Sequence, residues 1–287
     1  MGVAVVTDST HYLPGDVTAA GALHVVPLYV TFGGTLARES DMPDLQDFYA
    51  RLRGAASDMP TTSQPSIGDF LECYEPLLEG GQDIASIHLS AGISGTYDSA
   101  RQAAAELAGR GYEGRIEVVD SRTVCGGLGL VLLAAAACAG SGASRADVAA
   151  RAVAARESVR IWFSLDTLEY LRRGGRIGGA QAWLGGALKI KPILSLESEI
   201  LPVERVRTKG RTFERMVRYA HELHDAGSDG WCVQHIQAPG EAQRLVERCR
   251  EIFGSEPLFI GEVGPVIGVH AGPGMLGLGA MPQSMLA

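Results

Sequence analysis

The sequence has few cysteines, and none of them is placed for a metal site or a disulfide framework. Five cysteines are spread over 287 residues, an odd number, and no pair has CxxC or zinc-ligand spacing. This spacing excludes a zinc ribbon and is not that of a secreted disulfide scaffold. We therefore expect reduced thiols and a cytoplasmic location.

Excess positive charge and long apolar runs are also missing. The formal net charge of −8 excludes a protein that binds nucleic acid through a general basic surface. The longest apolar run, residues 128–139, is too short to span a bilayer. The chain enters an apolar run at residues 3–6 without the basic region of a signal peptide. We expect no nucleic-acid partner and no membrane anchor.

Short apolar runs alternate with helical patterns along the chain. In the first half, strands are predicted at residues 3–7, 23–30, 84–89 and 116–120, with helices between them. This alternation is typical of an α/β protein with a parallel sheet covered by helices. In the second half, strands are predicted at residues 159–163, 190–196, 201–207, 232–236, 258–263 and 266–270. We predict two domains, residues 1–158 and 159–287, each of the α/β class.

The stretch between the strand at 84–89 and the next helix contains small polar residues, among them Ser94, Gly95 and Thr96. Free N–H groups at a helix start, together with the helix dipole, favour an anion. Two hydroxyl donors and a glycine that permits close approach add to this preference. The residues indicate one of two arrangements. Either the helix start binds an anionic head group, for which a carboxylate is the favoured candidate, or it is a capped helix start without a ligand.

Other polar residues follow predicted strands and are expected at the same sheet edge. They are Asp8, Asp120 and a polar loop that contains Thr61, Thr62 and Ser63. Ligands of parallel sheets lie beyond the carboxyl ends of the strands. The sequence therefore predicts that these segments surround a common site.

Short motifs run in order through almost the whole chain. They are Thr-Asp-Ser-Thr at 7–10, Val-Pro-Leu at 26–28, Thr-Ser-Gln-Pro-Ser at 62–66, Ser-Gly-Thr-Tyr at 94–97, Asp-Ser at 120–121, Leu-Glu-Tyr-Leu at 168–171, Gly-Gly-Arg-Ile at 174–177, Lys-Pro-Ile at 191–193, Arg-Thr-Lys at 207–209 and Gly-Pro-Val-Ile-Gly at 264–268, followed by His270 and Gly-Pro-Gly at 272–274. Together these motifs resemble the DegV family, whose studied members are fatty-acid-binding proteins of the FakB type.

The resemblance implies a two-domain α/β protein that holds one long-chain fatty acid between its domains, with no other cofactor and no catalytic residue of its own. It implies that Thr62 and Ser94 bind the carboxylate and that His270 belongs to the same polar network. Thr61, Ser63, Gly95 and Thr96 complete the predicted ligand site. It also implies an ATP-dependent partner kinase of the FakA type, which phosphorylates the bound carboxylate and supplies acyl phosphate for phospholipid synthesis.

The chain departs from the family pattern at two places. Ala271 follows His270 where family members often have Thr, and residues 34–40 lack an expected Tyr-x-Asp pattern. The first change removes a hydroxyl near the predicted head group, and the role of the second segment is open.

Hydroxyls, backbone N–H groups and an imidazole satisfy a carboxylate without a fixed positive charge, whereas burying it unpaired costs several kcal/mol. Apolar residues must enclose the tail. The candidates are Leu28, Ile93, Leu165, Leu168, Trp183, Leu184, Leu188 and Ile267.

Basic residues cluster in an otherwise acidic chain, notably Arg205, Arg207 and Lys209. Such runs are commonly solvated faces that contribute little to stability. The resemblance to the FakB type raises the alternative that this segment docks the kinase.

An esterase or thioesterase is the strongest rival interpretation. Ser94 lies between a strand and a helix, and Asp120 and His270 follow in the Ser, Asp, His order of hydrolases. However, a nucleophile elbow requires glycine where Thr96 stands. A nucleotide site is weaker still, because the Gly-rich run at 174–179 follows a helix and lacks a Walker lysine. No histidine spacing favours a metal.

Overall fold

The computed structural model describes residues 2–42, 44–55, 59–184 and 190–287. The strands are β1 (Val3–Asp8), β2 (Leu23–Val26), β3 (Tyr29–Phe32), β4 (Thr35–Arg38), β5 (Thr61–Ser63), β6 (Asp83–His88), β7 (Ile116–Asp120), β8 (Arg160–Ser164), β9 (Lys191–Glu197), β10 (Glu199–Val206), β11 (Gly230–His235), β12 (Phe259–Glu262) and β13 (Leu276–Met281). The helices are α1 (Gly15–Ala20), α2 (Leu45–Gly54), α3 (Ile67–Glu79), α4 (Thr96–Leu107), α5 (Gly126–Gly140), α6 (Arg145–Ser158), α7 (Glu169–Arg173), α8 (Lys209–Asp225), α9 (Pro239–Phe253) and α10 (Pro265–Ala271).

The predicted parallel sheet of the first half is confirmed. Its strand order is β2-β1-β6-β7, and every neighbouring pair is parallel. Alternate strand residues face opposite layers, so Val5 and Ile87 pack in a core with α5 and α6. Val6 and Ile84 pack on the other side with α3 and α4. Apolar residues on both faces explain why these strands read as nearly continuous apolar runs.

A mixed sheet forms the second half, with the order β10-β9-β8-β13-β11-β12. Its neighbours are antiparallel except β11 and β12. Helices α8 and α9 cover one face, where Phe213 and Leu245 pack against Trp231 and Val233 of β11. On the other face, Cys232 packs in the core that contains α5. Helix α5 therefore lies between the two sheets.

A third, antiparallel sheet with the order β4-β3-β5 corrects two predictions. The single strand predicted at 23–30 is two strands in different sheets, because Pro27 has no N–H to continue the ladder. The predicted loop around Thr62 is instead β5, in which Thr62 pairs with Val30 of β3. This pairing fixes the position of the threonine relative to the rest of the sheet.

The C-terminal segments correct a further prediction. Residues 266–270 form helix α10, not a strand, and Pro265 occupies the first helical turn. Proline suits that position because the first N–H groups of a helix have no intrahelical acceptor. Strand β13 was not predicted at all, since its glycines at 277 and 279 depress strand propensity. It nevertheless pairs along its length with β8 and β11.

A serine followed three residues later by an aspartate predicts helix starts at Ser66 and Ser144. Both are confirmed, because each serine side chain accepts from the N–H of that aspartate. The Asp-Met-Pro run at 41–43 predicts the start of a helix that extends through Arg53; helix α2 begins nearby at Leu45, whereas Pro43 lies outside the described residues. A helix is also predicted at 181–188, but the structure has a 3-10 helix over Gly178–Trp183, and Leu188 lies outside the described residues. The domain boundary at residue 158 stays a prediction.

Candidate functional site

A cavity of about 330 Å³ lies between the three sheets, within the size range of small-molecule sites. Apolar side chains line most of it, and among the predicted tail contacts Leu28, Ile93 and Ile267 are present. The other described candidates, Leu165, Leu168, Trp183 and Leu184, are outside the lining formed by described residues. Leu165 and Leu168 are instead buried in the core near α2 and α10.

The cavity has one polar end, where β5, α10 and the loop after β6 meet. Thr62, Ser63, Ser94 and His270 all line it. Thr62 Oγ1 and His270 Nε2 are hydrogen-bonded at 2.8 Å, across 208 residues of sequence. The structure therefore brings together the three residues on which the predicted head-group site depends.

Ser94 is held at the start of α4 by its own neighbours. Its Oγ lies 2.9 Å from Thr96 Oγ1 and accepts from the Thr96 N–H at 3.3 Å. Thr96 is completely buried and does not line the cavity, so its hydroxyl reaches the site only through Ser94. Gly95 is the N-cap of α4 and lines an adjoining surface recess that shares Ile93, Ser94 and Arg176 with the cavity.

Glycine is required at position 95 for a structural reason that the sequence did not reveal. Gln64 packs directly on it, and a Cβ there would overlap the Gln64 amide. Gln64 Nε2 donates to the Gly95 carbonyl at 3.3 Å and to Ser99 Oγ at 3.1 Å. The Gln64 amide thus ties the end of β5 to the start of α4, which fixes Thr62 relative to Ser94.

Thr61 and Ser63 flank Thr62, and both are exposed. Ser63 lines the cavity, whereas Thr61 is not among the lining residues. Of the two, only Ser63 is therefore placed to meet a molecule in the cavity.

The loop over residues 89–95 is fixed by the polar ends of β1 and β7, although their carboxylates do not surround the cavity as predicted. The carboxylate of Asp8 accepts from the Leu89 N–H at 2.9 Å, and that of Asp120 accepts from the Ala91 N–H at 3.1 Å. Both carboxylates have a role in shaping this loop, and neither lines the cavity.

His88 lies beneath this loop in a closed polar network. It contacts Asp8 Oδ2 at 3.1 Å and Ser86 Oγ at 2.7 Å, and Ser86 in turn contacts the Tyr74 hydroxyl at 2.7 Å. All four side chains are completely buried; Asp8, Ser86 and His88 belong to the sheet, and Tyr74 belongs to α3, which covers it. Although Asp8, His88 and Ser86 resemble a catalytic triad in composition, no substrate can reach them. His88 is therefore a structural residue of β6.

His270 is an uncharged imidazole at neutral pH. Burial, with a smaller contribution from the positive charge of Arg176, lowers the pKa of His270 to about 4. Its Nδ1 is buried and has no hydrogen-bond partner among the described residues. The ring packs closely on Gly174, where any side chain would overlap it. A neutral His270 exchanges a hydrogen bond with Thr62 but supplies no cationic charge to a ligand.

Arg176 corrects the expectation that the polar end has no fixed positive charge. It lines both the cavity and the adjoining recess. Its Nη1 donates to the Gly174 carbonyl at 2.9 Å and its Nε to the Ile93 carbonyl at 3.3 Å. These bonds hold the guanidinium at the rim, where it is exposed to solvent. The site thus combines neutral donors inside with one cation at its edge.

Helix α10, which carries His270, is anchored by buried polar groups that sequence reasoning missed. Glu39 Oε1 accepts from the Val266 N–H and from the Tyr12 hydroxyl, both at 2.8 Å. The Tyr49 hydroxyl donates to the carbonyl of Val263 at 2.6 Å. Glu39 lies in the segment that lacks the Tyr-x-Asp pattern, and its role is to hold the first turn of α10.

This anchor makes stability depend on pH. Burial raises the pKa of Glu39 to about 7, from an ordinary value of 4.5, although the hydrogen bonds to Ser9, Val266 and Tyr12 act to lower it. Its stabilising contribution is therefore complete below pH 4.5 and is lost as the pH rises through about 7. We expect the free energy of unfolding to fall by about 3 kcal/mol across this range, and Glu39→Gln to remove most of that fall.

Denaturant unfolding at about pH 5 and about pH 8 measures this difference. Glu113→Gln, at an exposed position, is the control and should keep the wild-type dependence. An unchanged dependence in Glu39→Gln contradicts the assignment.

The hydrolase alternative requires Ser94, His270 and Asp120 to form a relay, and the structure does not bring them together in that way. Ser94 bonds to Thr96, His270 bonds to Thr62, and Asp120 Oδ1 accepts from the N–H groups of Ala91 and Arg122. The nitrogen of His270 that an aspartate would orient has no partner among the described residues.

The basic cluster lies apart from the cavity lining. Arg205 stacks over the Trp183 ring at 5.6 Å, and Lys209 pairs with Asp166 at 3.5 Å. Arg205 and Arg207 line a shallow surface groove together with basic residues of α8. Within the described ranges, Arg207 has neither a hydrogen-bond partner nor an ion-pair partner.

Two further findings concern the described part of the chain as a whole. None of its helices combines the length and the apolar character needed to cross a membrane. Its His, Cys, Asp and Glu residues include no group of three or more arranged to hold a metal ion.

Comparisons with known proteins show the family to which the chain belongs. A family model described as an uncharacterised protein of the DegV family matches residues 2–283. A DegV domain-containing protein of Streptomyces coelicolor is 38% identical over 279 residues, which cover 96% of this chain and 97% of that protein.

Two solved structures are similar over nearly their whole length. A DegV family protein from Thermus thermophilus, described by its fatty acid binding, has a TM-score of 0.87 and 33% identity, covering 98% of this chain and 100% of that one. DegV from Bacillus subtilis, described as a fatty acid binding protein, has a TM-score of 0.84 and 34% identity, covering 98% of this chain and 99% of that one. On the match of the family model and these identities, the chain belongs to the DegV family.

Proposed function

We propose that this protein binds one long-chain fatty acid in the cavity, with the carboxylate at the polar end. The observation that carries the proposal is the asymmetry of the cavity. Thr62, Ser94 and His270 lie at one end, and the remaining lining is mostly apolar. An amphipathic acid is the kind of molecule whose two parts match these two environments.

The energies agree with this assignment. Each methylene moved from water into an apolar cavity contributes about 0.8 kcal/mol, so a long tail contributes about ten kcal/mol before the costs of ordering. The carboxylate opposes burial unless it is hydrogen-bonded. The hydroxyls of Thr62 and Ser94 supply donors, and Arg176 at the rim supplies compensating charge. Fatty acid binding by the two similar proteins supports the same assignment.

Native mass spectrometry of the purified protein, followed by lipid extraction, tests the binding function. We expect one fatty acid per chain, or uptake of one equivalent when oleic or stearic acid is added to delipidated protein. Protein that carries no acid and takes up neither acid would contradict the proposal.

We further propose that the bound acid is presented to an ATP-dependent kinase of the FakA type in the cytoplasm, and that the resulting acyl phosphate enters phospholipid synthesis. In this role the protein is a substrate-presenting subunit. The carboxylate lies at the rim, next to the recess lined by Gly95 and Arg176, which leaves it accessible from outside. Neutral donors leave one oxygen more nucleophilic than a tight guanidinium clamp, which suits attack on ATP.

The exposed cations Arg205, Arg207 and Lys209 are the proposed docking segment for that kinase. Contacts between exposed charges act mainly on association rate and are screened by salt. We expect Arg207→Ala to lower the rate of acyl phosphate formation about tenfold at low salt, and less at high salt, while fatty acid affinity is unchanged. Arg248→Ala on α9, also exposed, is the matched control. Equal rates for both variants and the wild type would rule out this docking segment.

A further inference from the structure

The mixed sheet forms one wall of the cavity, which we call its inner end. Cys232 and Gln234 of β11 pair with Gly279 and Gly277 of β13, and all four line the cavity. The paired glycines have no side chains, so they leave a trough in the sheet beneath the start of α5. The glycine at 126, the first residue of α5, also lines this end.

Gln234 is the polar side chain of this trough. It is 3% exposed. Its Nε2 donates to two main-chain carbonyls, that of His11 at 3.2 Å and that of Tyr12 at 3.1 Å. The opposite orientation of the amide would place oxygen against both carbonyls, so the assignment of nitrogen and oxygen is fixed. Gln234 therefore presents an acceptor on its other side.

That acceptor, Oε1, has no hydrogen-bond partner among the described residues. A buried acceptor left unpaired loses the hydrogen bond that water gave it, which makes such groups rare in proteins. Oε1 lies on the side of Gly126, where a Cβ would stand 3.4 Å from it. Gly126 and Gln234 both line the cavity, and the Cys232 thiol lies on the same side of Gly126, 2.8 Å from where that Cβ would stand.

The surroundings define the kind of donor. The nearest titratable groups of the trough are the thiols of Cys125 and Cys232, and burial raises the pKa of both, so they are uncharged. No carboxylate lines the cavity among the described residues, so a cationic donor would lack a counter-charge there. A neutral hydroxyl is the donor that fits an apolar trough with one acceptor.

We propose that the cavity takes an acyl chain that carries a hydroxyl group towards its inner end, with the hydroxyl donating to Gln234 Oε1. This rests on the proposed function, because it assumes that the carboxylate is held at Thr62 and Ser94. It specifies a hydroxylated fatty acid as the preferred ligand class.

Binding to wild-type protein tests the ligand class without any substitution. The probes are positional isomers of hydroxystearic acid, the matching methoxystearic acids, and stearic acid itself. We expect at least one hydroxy isomer to bind about tenfold more tightly than stearic acid. The matching methoxy acid, which lacks the donor, should bind no better than stearic acid.

Gln234→Leu should remove this preference, and Gln243→Leu at an exposed position of α9 should retain it. Stearic acid binding and circular dichroism establish that each variant is folded. If stearic acid binds to the wild type but no hydroxy isomer binds more tightly, a water satisfies Gln234 and the inference is overturned while the proposed function stands. A preference that survives in Gln234→Leu also overturns it. If none of these acids binds, both proposals fail.

Discussion

Gly277→Leu is expected to lower the affinity for stearic acid about a hundredfold. The position lies in a strand without a positive φ, and a Cβ there would meet its neighbours at ordinary contact distances of 3.6–3.7 Å. The rest of a leucine side chain would fill the trough. Displacing roughly four methylene groups at about 0.8 kcal/mol each corresponds to more than two powers of ten in affinity.

Titration calorimetry with stearic and decanoic acids measures this effect, because the shorter tail need not reach the trough. The affinity for decanoic acid should change little. Gly240→Leu is the matched control, since that glycine is exposed and has open space around it. A folded Gly277→Leu protein with wild-type affinity for stearic acid would show that the tail does not lie along β13.

Loss of the hydroxyls that are proposed to bind the carboxylate should have the next largest effect on the affinity for stearic acid. Thr62→Val and Ser94→Ala each remove a donor placed at the polar end of the cavity. Hydrogen bonds to charged groups contribute about 1.5–3 kcal/mol, so each variant should bind stearic acid about tenfold to a hundredfold more weakly. The double variant should lose most of the acid-specific affinity.

Stearyl alcohol separates this effect from a loss of packing, because it has the same tail and no carboxylate. The alcohol should bind the variants and the wild type with similar affinity. Thr61→Val, one residue away, exposed and outside the cavity lining, is the matched control and should bind the acid normally. If acid and alcohol weaken together, Thr62 and Ser94 shape the cavity without binding the carboxylate.

The local signals of this sequence predicted the fold where the structure depends on local interactions. The parallel strands and the caps at Ser66 and Ser144 follow from apolar runs and capping residues. The elements that were wrong or missed depend on distant partners. Strand β5 exists because β3 lies beside it, and β13 exists because β8 and β11 flank its glycines.

The same distinction applies to the site. Thr62, Ser94 and His270 stood in motifs and were identified before their geometry was known. Gln64 and Arg176 also stood in motifs, but neither they nor Glu39 was given a role, since each acts through a contact far along the chain. Glu39 holds Val266, and Gln64 packs on Gly95. No spacing rule connects such positions, so only the folded arrangement reveals them.

A crystal structure of the protein with stearic acid tests the central claim most directly. We predict that the carboxylate lies within hydrogen-bond distance of the Thr62 and Ser94 hydroxyls and that the tail extends past Val124 towards Gly277. A carboxylate found at Gln234, or an acid bound outside the cavity, would contradict the account.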